Sequence, residues 1–223
     1  MIKKLYVITK SSFFRYLAPL FLFLLIGCVQ GSVQDPISIW VVYTIKIVAA
    51  TLLFLALFRA HWHEIAGKID VWSVVTGIVV LVVWLLHYKM FAGHVSASFD
   101  PTIFHSPAIA ALAICIRVAG ASIVTPVLEE TIWRSFMMRY YIKEDFLSVP
   151  LGSYTFLSFW LTVLTFMAVH PMWQWGVAAF AGSAYGLYMV KSKSLTGCIV
   201  AHAVTNLGLS LYALLTHEWG LWG

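Results

Sequence analysis

Long apolar runs alternate with short polar breaks along the whole chain, and none shows the period-two alternation of a membrane strand. Runs long enough to cross about 30 Å of hydrocarbon as helices, roughly 17–25 residues each, can be drawn at 12–29, 37–58, 71–86, 108 to near 139, 155–169, 173–190 and 195–215. They predict an all-α fold, a polytopic transmembrane bundle of about seven spans. Lipid offers the backbone no hydrogen bonds, and without a ten-residue alternating pattern a helical bundle is favoured over a barrel. No stretch reads as a linker or a repeat array, so residues 1–223 are taken as one integral membrane domain.

Composition strengthens this reading. Of 223 residues, 61% are hydrophobic and only 10% charged, far from the balance of a soluble domain. Short loops carry the bases unevenly. Lys3, Lys4, Lys10 and Arg15 stand at the first run, Arg59 and Lys68 follow the second, Arg139 and Lys143 the fourth, and Lys191 and Lys193 the sixth. The loops at 30–36, 88–107 and 171–173 hold only Lys89. Basic loops stay inside, so the N-terminus is expected in the cytoplasm and the C-terminus outside, in a membrane of the bacterial cytoplasmic type. The net charge of +5 is then a matter of topology, not of nucleic-acid binding. A basic start, an apolar run and LIGC at 25–28 also resemble a lipoprotein signal, but another span follows with no exported domain behind it. The single cysteines Cys28, Cys115 and Cys198 read as small buried hydrophobes.

Charge inside the apolar runs is rare. Asp35, Glu64, Asp70, Asp100, Glu144, Asp145 and Glu218 fall in loops or at span ends, where water is expected to solvate them, whereas Glu129 and Glu130 lie inside a long apolar helix. A charge near the bilayer centre costs at least ~2.5–3.5 kcal/mol, so two in succession call for a polar cavity or for partners. Successive helical residues differ by about 100°; Glu130 and Arg134 share a face at i,i+4. Arg134 is expected to neutralise Glu130 and to leave Glu129 facing a cavity. The competing reading places all three in the cytoplasmic headgroup region. Two further segments, FMAVH at 166–170 and HAVTN at 202–206, add His170, His202 and Asn206. His202 and Asn206 share one helix face, as functional donors or as an interhelical clamp.

A carboxylate, two imidazoles and a carboxamide are the parts of an acid–base hydrolase. A buried glutamate can take a proton from water, a histidine can orient that water, and His and Asn donors can hold an oxyanion. Glu129, His170 and His202 could alternatively hold a divalent metal such as zinc. Sequence alone leaves both mechanisms open. A zinc H-E-x-x-H motif is absent, since His63-Glu64 is followed by Ile65, Ala66 and Gly67 in a loop; no Asp lies in a span. Ser183 shares its run with Ala178, Gly182 and Gly186 and reads as a packing residue. Arg117 is expected to snorkel to the outer interface, and Lys46, His61 and His63 to be interfacial.

The segments EETIWR at 129–134, FMAVH at 166–170 and HAVTN at 202–206 resemble, in order and spacing, the E-E-x-x-x-R, F-x-x-x-H and H-x-x-x-N motifs of the CAAX-protease and bacteriocin-processing (Abi) family. The resemblance covers about 108–215. It implies an intramembrane endopeptidase acting on a membrane-associated protein or peptide. Glu129 would activate water with help from His170, His202 and Asn206 would form the oxyanion hole, and Glu130, Arg134 and Phe166 would support them. The glutamate-type mechanism, with no required cofactor, is favoured because Asn206 suits an oxyanion hole better than a metal shell. The small C-terminal half looks like bacterial members associated with sorting of short C-terminal signals. The rivals are a non-catalytic substrate-binding or bacteriocin-immunity protein using the same cavity, and a transporter with an acidic proton site. One strain remains in the sequence geometry: with straight spans His170 lies near the outer end of its helix, Glu129 near the inner. A kink at Pro126 or a tilt of the long fourth run would reconcile them, around a water-filled cavity near mid-membrane.

Overall fold

The computed structural model describes residues 11–91 and 99–222; Lys3, Lys4 and Lys10, and the side chain of His61, lie outside what is described. The described residues contain no strand. Seven helices carry the fold: α1 Ser12–Ser32, α2 Pro36–Leu57, α3 Val71–Phe91, α4 Pro107–Tyr140, α5 Phe156–Ala168, α6 Trp175–Ser192 and α7 Leu195–Thr216. Five of them, α1 to α4 and α7, are long and apolar enough to cross a membrane; α5 is a shorter apolar helix. Large apolar side chains such as Phe21, Leu52, Leu112 and Phe156 are exposed on the outside of the bundle, as expected where lipid is the solvent. The chain is an integral membrane protein.

Helix starts follow local chemistry. Asp35 accepts from Ser38 N at 2.7 Å at the start of α2, and these bonds hold its carboxyl below the usual carboxylate range. Asp70 takes Ser73 N at 2.9 Å ahead of α3, Thr155 and Ser158 form a capping box on α5, and Ser194 takes Gly197 N at 3.1 Å at the start of α7. The helices pack as α1 on α2, α3 on α7, α5 on α6, and α4 against α7. Gly77 lets α3 approach α7: a Cβ there would run into the Ala201 carbonyl and Val204, and Thr205 Oγ1 lies 2.8 Å from the Gly77 carbonyl it donates to. Gly182 and Gly186 face Phe166 and Phe159 of α5, the close packing expected of that stripe, and Ser183 donates to the Ala179 carbonyl at 2.8 Å.

The fourth helix runs unbroken through Pro126 but is not uniform. Its α-helical turns are interrupted by π-helical stretches at Gly120–Val124 and Thr131–Met137, one on each side of the two glutamates. Such i→i+5 turns recur at functional sites. The pre-proline turn therefore adjusts by widening, not by breaking.

Several expectations are corrected. Glu64 and Arg139 are not solvated at a span end: both are buried, with Arg139 Nη2 donating to the two Glu64 oxygens at 3.0 and 3.1 Å and Ser135 Oγ donating to the same carboxylate. The pair ties Phe58–Glu64, the short 3₁₀ turn after α2, to the C-terminal end of α4, beside the edge-to-face rings of Tyr16, Phe58, Phe136 and Phe146. Of the cysteines only Cys198 is buried; Cys28 and Cys115 are exposed. Lys46 is buried and Arg117 half-buried, and both line the cavity described below. Breaking a buried pair from one side leaves a bare charge and costs about 3–5 kcal/mol. Arg139→Met should therefore lower the melting temperature of the purified protein sharply, and Glu64→Leu added to it should recover part of the loss; melting by tryptophan fluorescence in nanodiscs measures both.

Candidate active site

A cavity of about 240 Å³ lies within the bundle, and Glu129, Phe166, His170, His202 and Asn206 all line it. They come from three helices and one turn. α4 supplies Glu129 and Glu130; α5 supplies Phe166 and leads into His170; α7 supplies His202 and Asn206.

His170 reaches the cavity because α5 is short. Thirteen residues at 1.5 Å each span roughly 20 Å, well under the hydrocarbon thickness. The helix thus ends within the depth of the bundle, and the following turn carries His170 to the cavity wall. Its Nδ1 lies 2.8 Å from the Phe166 carbonyl, its ring packs 4.7 Å from the Phe166 ring and 6.0 Å from Trp84, and its own carbonyl accepts from Trp175 Nε1 at 3.0 Å. A carbonyl only accepts, so Nδ1 carries the proton, and in the neutral ring Nε2 keeps its lone pair.

Glu130 is fully buried between Arg134 and His202. Arg134 Nε lies 3.0 Å from its Oε2, the i,i+4 pair expected from spacing, and His202 Nδ1 lies 2.8 Å from its Oε1. Arg134 meets the carboxylate as a charge, without a hydrogen bond aligned to it. The guanidinium sits 5.4 Å from the Phe166 ring and 5.8 Å from that of Tyr185, and its terminal nitrogens have no partner among the described residues. Tyr185 stacks on His202 at 5.2 Å and donates to Thr205 Oγ1 at 2.7 Å. With Nδ1–H given to the carboxylate, the His202 Nε2 donates only when the ring carries a second proton.

Glu129, one residue earlier, points elsewhere. It lines the cavity half-buried, and its Oε2 is buried without a protein partner. Asn206 donates from Nδ2 to the Ala121 carbonyl at 2.9 Å. That acceptor is available for a local reason. In the π-helical turn Thr125 N–H bonds the Gly120 carbonyl; the next N–H in the same ladder would take Ala121, but residue 126 is proline and has none. Asn206 fills the vacancy, which fixes its side chain and leaves its second N–H free.

Among the described residues no three His, Cys, Asp or Glu side chains are grouped to hold a metal ion. Glu129, His170 and His202 do not form such a group. Tyr185, Thr205 and Trp84 also belong to the cavity wall. They were invisible to sequence reading because aromatic and Thr residues in an apolar run look like packing. The signal available for Tyr185 and Thr205 was Tyr185 on the small-residue helix and Thr205 between His202 and Asn206.

Fold and cavity together define a polytopic helical membrane protein with a buried carboxylate–imidazole–amide site. More particularly, residues 110–208 match the family model described as type II CAAX prenyl endopeptidase Rce1-like. The match covers every motif residue and bears out the family resemblance drawn from the three motifs. No curated protein and no solved structure matches the chain.

The two glutamates separate by stability. Glu130→Leu leaves Arg134 and His202 around an empty centre and should cost about 3–5 kcal/mol, whereas Glu129→Gln, facing the cavity, should shift stability by less than about 1 kcal/mol. Thermal melts of the two variants in the same nanodiscs check the contrast.

Proposed function

We propose that the protein is an intramembrane endopeptidase of glutamate type, hydrolysing a peptide bond in a membrane-associated or membrane-proximal protein substrate. The observation that carries this reading is the meeting of Glu129, His170, His202 and Asn206 on one cavity, with the Glu129 Oε2 unpartnered there. A water in this cavity gives one proton to the Glu129 carboxylate, while its other O–H is oriented by the lone pair of His170 Nε2. The hydroxide so formed bonds to the carbonyl carbon of the substrate. The carbonyl oxygen becomes an oxyanion, held by Nε2–H of the His202 imidazolium and the free N–H of Asn206. Collapse of this intermediate breaks the C–N bond, and the leaving amine takes the proton from Glu129. Glu130 fixes the His202 ring through Nδ1, and Arg134 offsets the charge of Glu130.

The same charge bias of the loops supports an N-terminus in the cytoplasm and a C-terminus outside. The substrate arrives through the bilayer, and nucleic acid has no place in this reading.

Comparison of membrane-protein termini by mass spectrometry, in cells carrying the wild type and cells carrying Glu129→Gln at equal expression, tests the activity. New termini near membrane anchors should be present in the first and absent in the second; identical termini with both proteins folded would turn the reading to a substrate-binding protein. With a substrate in hand, Asn206→Ala should lower kcat by roughly 10²–10³, the usual effect of losing an oxyanion donor. Pro126→Ala, which gives the Ala121 carbonyl a main-chain donor of its own, should lower kcat more than it raises KM.

A further inference from the structure

The cavity has a second pole that the hydrolytic chemistry does not use. Its wall also holds Lys46 of α2 and Arg117 of α4. Lys46 is 8% exposed. Its ammonium lies 4.6 Å from the centroid of the Phe23 ring and 5.0 Å from that of Tyr43. The Arg117 guanidinium lies 4.7 Å from the Tyr43 ring and 4.9 Å from the Phe99 ring. It donates to the Tyr43 hydroxyl at 3.1 Å and to the Trp222 carbonyl at 2.6 Å, and its Nε is buried with no partner. Among the described residues neither cation has a carboxylate within ion-pair distance.

A buried and a half-buried cation gathered over one tyrosine ring, with aromatic faces in place of a counter-ion, are costly to maintain unless something anionic joins them. What they face is the cavity that also holds Glu129. Glu129 follows Arg117 by twelve positions, so roughly 18 Å of helix axis separates the two poles, less the reach of both side chains. An extended peptide rises about 3.3–3.6 Å per residue, so a peptide bond at Glu129 and an anion at the cations would lie only a few residues apart. A peptide carries its negative charge as carboxylate, either at its chain end or on Asp and Glu.

We propose that Lys46 and Arg117 form a carboxylate-binding subsite that anchors the substrate peptide a few residues from the bond attacked at Glu129. The inference rests on the proteolytic reading above. Lys46 lies outside the segment that matches the family model, so the subsite joins the first half of the chain to the chemistry of the second.

The test uses the full-length protein in phosphatidylcholine nanodiscs and synthetic peptides that span the cleavage sites found by terminal mass spectrometry. Each peptide is made in three forms: free acid, C-terminal carboxamide, and free acid with its Asp and Glu replaced by Asn and Gln. The wild type should cleave one neutralised form with kcat/KM lower by roughly tenfold or more, through KM. Sensitivity to the carboxamide assigns the chain end, and sensitivity to Asn and Gln assigns a side chain. Lys46→Met removes the ammonium while keeping an unbranched apolar side chain and should bring the ratio between acid and neutral forms close to one. Arg117→Gln should do the same where it folds, but its bond to Trp222 also supports the structure, so Lys46→Met decides. Equal cleavage of all three forms by the wild type, or a ratio that survives Lys46→Met, overturns the subsite and leaves the protease reading standing. A preference for acid peptides that disappears when phosphatidylglycerol is added to the discs assigns the cations to lipid phosphate and also overturns it. Absence of cleavage of any form overturns the protease reading, and the subsite with it.

Discussion

One buried carboxylate organises the interior. Glu130 is fully enclosed, and it is tolerable there only because Arg134 approaches from its own helix and His202 from α7. Removing a carboxylate from water is expensive, and the pairing must be close to offset that cost. The consequence extends past stability. Since Arg134 and His202 must converge on Glu130, α4 and α7 are locked in register, and that register puts Glu129 and Asn206 on the same cavity. The adjacent residues Glu129 and Glu130 thus do different work: one is satisfied by protein and fixes the helices, the other is left facing space.

The wide turns of α4 are the second constraint. A regular helix would set Arg117 and Glu129 roughly 120° apart around the axis, because twelve residues advance by about 100° each. A π turn takes in one residue more than an α turn, so the stretch Gly120–Val124 between them makes the interval behave as roughly eleven residues and closes the angle to roughly 20°. Both side chains then face one cavity. The same stretch, with Pro126 after it, exposes the Ala121 carbonyl that holds Asn206. A proline that reads from sequence as a hinge works instead as a missing donor.

The helices themselves were legible because lipid leaves the backbone few choices. The runs at 12–29, 37–58 and 195–215 are the cores of Ser12–Ser32, Pro36–Leu57 and Leu195–Thr216, with starts set by Asp35 and Ser194 at two of them. The polar residues of the cavity were legible as misfits in apolar runs. Their depth and phase were not. The run at 155–169 reads as short from sequence, but hydropathy does not say what its end faces, and that is what admits His170. Hydropathy also assigns a loop acid to water by default, whereas Glu64 is held against α4 by the guanidinium of Arg139, 75 positions later in the chain.

Lys46 and Arg117 show why the error for cations has a fixed direction. A hydropathy count knows two fates for a cation in a span, solvation at the interface by a long stem or pairing with an acid. The quadrupole of an aromatic face is a third, and Phe23, Tyr43 and Phe99 supply it here without any charged residue to betray it. Aromatic faces stabilise a cation less completely than a carboxylate does. They leave its field directed at whatever lies in front, and in this bundle that is the cavity shared with Glu129. The cavity is therefore polarised, positive at Lys46 and Arg117 and acidic at Glu129, and a bound peptide would be oriented by that gradient before any bond is broken.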